Sequence, residues 1–104
     1  MYKNIRLSQH DINAISHLFC KNFKKDDQLW LFGSRVDPTK RGGDIDLYIE
    51  TTIVDAKELV QTKMAYLLDL DLAIGEQKID LVIRRQDTDM PIYQIAKREG
   101  VRMV

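Results

Sequence analysis

LFGSRVDPTKRGGDIDLYIE, residues Leu31 to Glu50, sets a glycine-containing loop between two short apolar runs. The loop opens with Gly33-Ser34 and closes with Gly42-Gly43, and Asp44-Ile45-Asp46 follows at once. From Asp44 to Thr51 the character alternates. Ile45, Leu47 and Ile49 fall on one face; Asp44, Asp46, Tyr48 and Glu50 fall on the other. That is the period-two pattern of a half-buried strand with a polar, open face. Asp44 and Asp46 then share a face, with Cα atoms about 6.5–7 Å apart. Like charges so close repel each other unless a cation sits between them.

Working outward, Gln28 to Phe32 is apolar, rich in β formers, and ends at Gly33, which predicts a strand. Upstream, Ser8-Gln9-His10-Asp11 has the form of a capping box with Asp in place of Glu. Ile12, Ile15, Leu18, Phe19 and Phe23 then recur at helical spacing, predicting a helix from Gln9 to Phe23. Lys24-Lys25-Asp26-Asp27 reads as a polar turn. Downstream, Asp55 caps a long helix whose apolar residues include Leu59, Val60, Met64, Leu67, Leu68 and Leu70, with Gly75 suited to its end. Gln77 to Arg84 alternates again: Ile79, Leu81 and Ile83 against Lys78, Asp80, Val82 and Arg84. Asp89 and Met90-Pro91 open a short helix containing Ile92, Ile95 and Ala96, closed by Gly100. The order α-β-loop-β-α-β-α predicts an α/β (α+β) fold. One small mixed sheet carries helices on its apolar face and leaves the carboxylates on the opposite face near solvent.

A chain of 104 residues suits one domain, 1–104, and is too short for two ordinary ones. With 44% hydrophobic and 31% charged residues it has the composition of a soluble globule, not of a disordered chain. No apolar run approaches the roughly 20 residues that span a bilayer. MYKNIRLSQHD lacks the apolar segment of a secretory signal. Cys20 has no second cysteine to pair with, which fits a reducing cytoplasm. Within its helical pattern Cys20 reads as a small core or boundary residue. Sixteen basic residues balance sixteen acidic ones, so the surplus that drives duplex binding is missing and no direct nucleic-acid role is expected. A small phosphorylated ligand needs only a local site.

If the strands bearing Asp46 and Asp80 are neighbours, three carboxylates converge on one patch. Each sits in an otherwise apolar segment, where a charge is disfavoured without a partner. A hard cation such as Mg²⁺ uses carboxylates together with phosphate oxygens and water. Gly33 lets the backbone approach a ligand, Ser34 brings a hydroxyl, and Arg35 adds a positive charge. Taken singly, each feature has a plain reading. Asp-x-Asp is usually a solvated strand edge, and Gly-Ser is a common turn. Asp80 can be a surface charge beside Lys78 and Arg84. Ser8, His10 and His17 read as capping or helix-surface groups, Trp30 and Tyr48 as packing residues, and Lys40-Arg41 as solvated loop. The ordered combination is the stronger signal.

That combination, "GSRVDPTKRGGDIDLYIE" followed by "KIDLVI", resembles the signature of the DNA polymerase beta superfamily of nucleotidyltransferases. Within it the chain is most similar to the minimal nucleotidyltransferases, the MNT antitoxins encoded beside HEPN-domain proteins. The resemblance covers nearly the whole chain. It departs at Val36 and Asp37, where many relatives carry a small residue and a second Arg. It implies a polymerase-beta-like fold and a Gly-Ser turn that holds a triphosphate, with Gly33, Ser34, Arg35 and Gly43 binding nucleotide. It implies that Asp44, Asp46 and Asp80 bind metal and are catalytic, Asp80 also helping to activate the acceptor hydroxyl. It further implies Mg²⁺ as cofactor, ATP as co-substrate, and transfer of AMP to a hydroxyl, a tyrosine, of a HEPN toxin with which the chain forms a hetero-oligomer. Tyr48, Val82 and the segment from Val101 to Val104 would lie at the rim that meets that partner. The alternative is a non-catalytic module that neutralises the toxin by docking. Modification of a small molecule fits less well, because so short a chain offers little to enclose a second substrate.

Overall fold

The computed structural model describes residues 5–36, 43–84 and 89–104. Asp37, Lys40-Arg41 and Gly42 of the loop lie outside them. In chain order the elements are α1 (Gln9–Asn22), β1 (Gln28–Phe32), a 3₁₀ turn (Gly33–Val36), β2 (Ile45–Glu50), α2 (Ala56–Ile74), β3 (Ile79–Ile83), α3 (Pro91–Glu99) and β4 (Val101–Arg102). The expected caps close both long helices. The Ser8 hydroxyl accepts from the Asp11 N–H at 3.1 Å, and the Asp55 carboxylate accepts from the Glu58 N–H at 2.8 Å. Each such cap is worth about 1 kcal/mol. Gly75 ends α2 at φ 80°, a conformation that costs side-chain-bearing residues energy.

The strands form one mixed sheet in the order β3-β2-β1-β4. β1 runs antiparallel to β2 and to β4; β2 and β3 are parallel, joined across by α2. The alternation of β2 is realised: Ile45, Leu47 and Ile49 are fully buried against α1 and α2. Ile12, Ile15 and Phe19 of α1 complete this core, together with Tyr66 and Leu70 of α2. Phe19 stacks on Phe23 at 4.7 Å, and Tyr66 meets Phe23 edge-on at 5.6 Å while its hydroxyl donates to the Ile15 carbonyl. The apolar body of Tyr66 is thus packed and its polar tip satisfied.

Four expectations need correction. The helices are not all on one face. α1 and α2 cover the aliphatic side, but α3 packs on the other, where Tyr93 and Ala96 enclose Trp30 and Tyr48. Tyr48 is therefore fully buried, so it is a packing residue and cannot line a rim, and the polar face of β2 is open only at its Asp46 end. In the C-terminal segment a further strand, β4, pairs with β1, and Met103 is buried, so that segment is in part sheet edge and core. Cys20 is exposed. It follows Phe19 by one step of about 100°, which turns it off the buried stripe of α1.

Candidate active site

β2 and β3 are neighbours, and their parallel register sets Asp46 directly beside Asp80. On the other flank of β2, Asp46 pairs with Phe32, the last residue of β1. The chain turns there through Gly33, at φ 77°. A Cβ on Gly33 would lie 2.3 Å from the Asp46 carboxylate Oδ2, so that side chain would have to swing aside. Glycine is thus favoured twice over, by its left-handed backbone and by the closeness of the carboxylate. The loop and the acidic pair form one construction.

Burial, first, and then the charges of Asp80 and Asp44 and a hydrogen-bonding contact with Asp80 hold the Asp46 carboxyl above its ordinary value; Lys78 pulls it the other way. Asp46 is half-buried and Asp80 exposed. Asp44, one step before β2, is paired with the Lys78 ammonium at 3.5 Å. Among the described residues no group of three or more His, Cys, Asp or Glu is arranged to enclose an ion. The pair Asp46–Asp80 nonetheless suits a hard cation. Its donors are all oxygen, neither acid is in an ion pair among the described residues, and Mg²⁺ is commonly held by one or two carboxylates with phosphate oxygens and water supplying the rest.

Arg35 is engaged in the loop itself. Its guanidinium donates to the Arg6 carbonyl at 2.6 Å and to the Gly43 carbonyl at 2.9 Å. Arg6 reciprocates: its N–H donates to the Arg35 carbonyl and its guanidinium to the Ser34 carbonyl, each at 2.8 Å. This double brace fixes the Gly33–Val36 turn to the segment before α1 and ties both ends of the loop together through Gly43. Arg6 carried no sequence signal; a lone arginine ahead of a capping serine belongs to no pattern.

The other half of the β2 polar face is closed by charge pairing. Glu50 accepts from the Tyr48 hydroxyl at 2.7 Å and pairs with Lys97 of α3 at 3.2 Å and Arg84 at 3.5 Å. Lys97 and Arg102 both lie over the Trp30 ring, at 5.2 and 5.7 Å. Glu50 is thus a clamp for α3, whereas Asp46 and Asp80 have no ion pair among the described residues.

Among the described residues no helix is long and apolar enough to cross a membrane. No protein-family model matches the sequence, and no curated protein matches it significantly.

Proposed function

We propose that the chain is a cytoplasmic, Mg²⁺-dependent nucleotidyltransferase of the minimal type, an antitoxin that transfers AMP from ATP to a tyrosine hydroxyl of a HEPN-domain toxin. The observation that carries this reading is the adjacency of Asp46 and Asp80 in register, with Gly33 pressed against the Asp46 carboxylate.

Asp46 and Asp80 would hold Mg²⁺, which when bound neutralises phosphate charge and polarises the reacting phosphoryl group, and Asp44 would join them on leaving its Lys78 ion pair. Gly33 and Ser34 would receive the triphosphate, the missing Cβ of Gly33 letting the turn lie against the Asp46 carboxylate. Arg35 and Gly43 keep that turn in shape. Asp80, the exposed member of the pair, accepts the proton of the acceptor hydroxyl as its oxygen attacks the α-phosphorus. The new P–O bond forms as the bond to the β-phosphate oxygen breaks, and pyrophosphate leaves with that electron pair.

A docking-only role is the second reading, and the Lys78–Asp44 ion pair favours it, because it occupies one of the three acids. One experiment separates the two: mass spectrometry of a HEPN partner after incubation with ATP and Mg²⁺. The catalytic reading expects an added adenylyl group that Asp80→Asn abolishes. Toxin neutralisation without any mass change, equal in wild type and Asp80→Asn, would select docking.

A further inference from the structure

α2 carries more large apolar residues than its core face uses. Tyr66 and Leu70 are buried, but Val60, Met64, Leu68 and Leu72 are 59%, 60%, 60% and 77% exposed. At 100° per residue they fall within an arc of about 120° on the side away from the core. Lys57 and Asp71, both exposed, lie in the same arc. Neither is in an ion pair among the described residues. Scattered exposed apolar side chains are ordinary, whereas a contiguous stripe marks a contact surface.

The order of residues along the stripe identifies its occupant. Lys57, Val60, Met64, Leu68 and Asp71 are spaced three, four, four and three residues apart. That spacing reads the same from either end, with Met64 at its centre. The apolar positions match under reversal, and the terminal charges are opposite in sign. We propose that two copies of this chain pair through α2, antiparallel, about a two-fold axis at Met64. Each Val60 then faces the second copy's Leu68, Met64 faces Met64, and each Lys57 faces the second copy's Asp71. Leu72 falls over the second copy's Ala56, which is exposed. A parallel pairing would instead set Lys57 against Lys57 and Asp71 against Asp71.

A seam of mixed three- and four-residue steps suits helices crossing at a shallow angle near 20°. The contact is isologous and closes at two chains. One helix face offers less than the roughly 800 Å² per partner of a standard interface, so the dimer exchanges with monomer in the micromolar range. Asp46 and Asp80 lie on the opposite side of the sheet from α2, so both sites stay open. The dimer holds whatever those sites do.

Sedimentation velocity of the full chain from about 1 to about 300 µM tests this. The weight-average mass should rise from one chain toward two. Leu68→Glu should hold the protein monomeric throughout with its circular dichroism unchanged. Lys57→Asp or Asp71→Lys alone should weaken pairing about tenfold, and the two together in one chain should restore it. Met64→Cys, with Cys20→Ser removing the native thiol, should oxidise to a covalent dimer in the folded state. A monomer at every concentration would overturn the proposal and leave the stripe to a different protein. So would a dimer indifferent to Leu68→Glu, or one that the double charge exchange fails to restore.

Discussion

The ladder between β1 and β2 has a carboxylate near each end, and the two have opposite fates. Asp27 precedes the Gln28–Glu50 pair; Asp46 faces Phe32 at the other end. Burial disfavours the charge of both. At Asp27 that penalty is more than offset. Its carboxylate accepts from the Lys24 N–H at 2.9 Å, the Thr51 hydroxyl at 2.6 Å, the Thr52 N–H at 2.8 Å and the Thr52 hydroxyl at 3.0 Å. These donors hold it below its ordinary value despite burial. Asp46 has a second carboxylate where Asp27 has donors. One acid is fastened into the fold, and the other is left at a cost the fold must absorb. Carboxyls perturbed in that way cluster where proteins bind and react.

The largest expected consequence lies at Asp27. Asp27→Ala removes four hydrogen bonds to a charged group and leaves the Lys24 and Thr52 N–H groups without their acceptor. Urea unfolding should show a loss of roughly 2–4 kcal/mol. A loss below about 0.5 kcal/mol, the size of an ordinary surface substitution, would dissolve the contrast between the two ends.

A smaller effect is expected at Gly33, and it joins the loop to Asp46. Gly33→Ala should cost about 1–3 kcal/mol, because the residue must keep a positive φ and its Cβ meets the Asp46 carboxylate. Asp46→Ala in the same chain removes the collision but not the backbone strain. The double variant should thus be more stable than the two single changes summed, with a coupling of about 0.5 kcal/mol or more. Strict additivity would show that loop and carboxylate are independent.

This comparison also explains what could be read from the sequence. The β2 alternation predicts its buried face residue by residue, because a pleated strand has no other way to present Ile45, Leu47 and Ile49. The adjacency of Asp46 and Asp80 follows once β2 and β3 are neighbours across α2. The covering of Tyr48 was not legible: period-two alternation reports two faces but not whether a later helix lies on the polar-looking one. β4 is two residues long and carries no periodicity. Asp27 looked like one more polar residue in Lys24-Lys25-Asp26-Asp27, since its donors at Thr51 and Thr52 lie some 24 residues away. Nor could composition separate the buried from the exposed apolar residues of α2. Val60 and Leu70 belong to the same helical run and differ only in which side of it they occupy.

The smallest effect is the change at Asp46 itself, and its sign is the sharpest test of the comparison. A carboxyl held above its ordinary value in the folded protein binds protons more readily there than in the unfolded chain. Its ionisation therefore lowers stability at neutral pH, and the penalty vanishes as pH falls through the raised value. Asp27 behaves oppositely. Its contribution is complete above the ordinary value near 4 and is lost as pH falls through the lowered one. Asp46→Asn should accordingly raise stability at pH 7 by a few tenths to about 1 kcal/mol, as expected for a partly exposed charge. The gain should shrink toward zero as pH is brought below about 4. Asp27→Asn should lower stability at pH 7 and flatten the acid limb of the same curve. Urea midpoints for both variants and the wild type, taken from pH 3 to pH 7, provide the measurement. If Asp46→Asn destabilises the protein at pH 7 as Asp27→Asn does, then Asp46 is a second structural acid, and the assignment of the site to it fails.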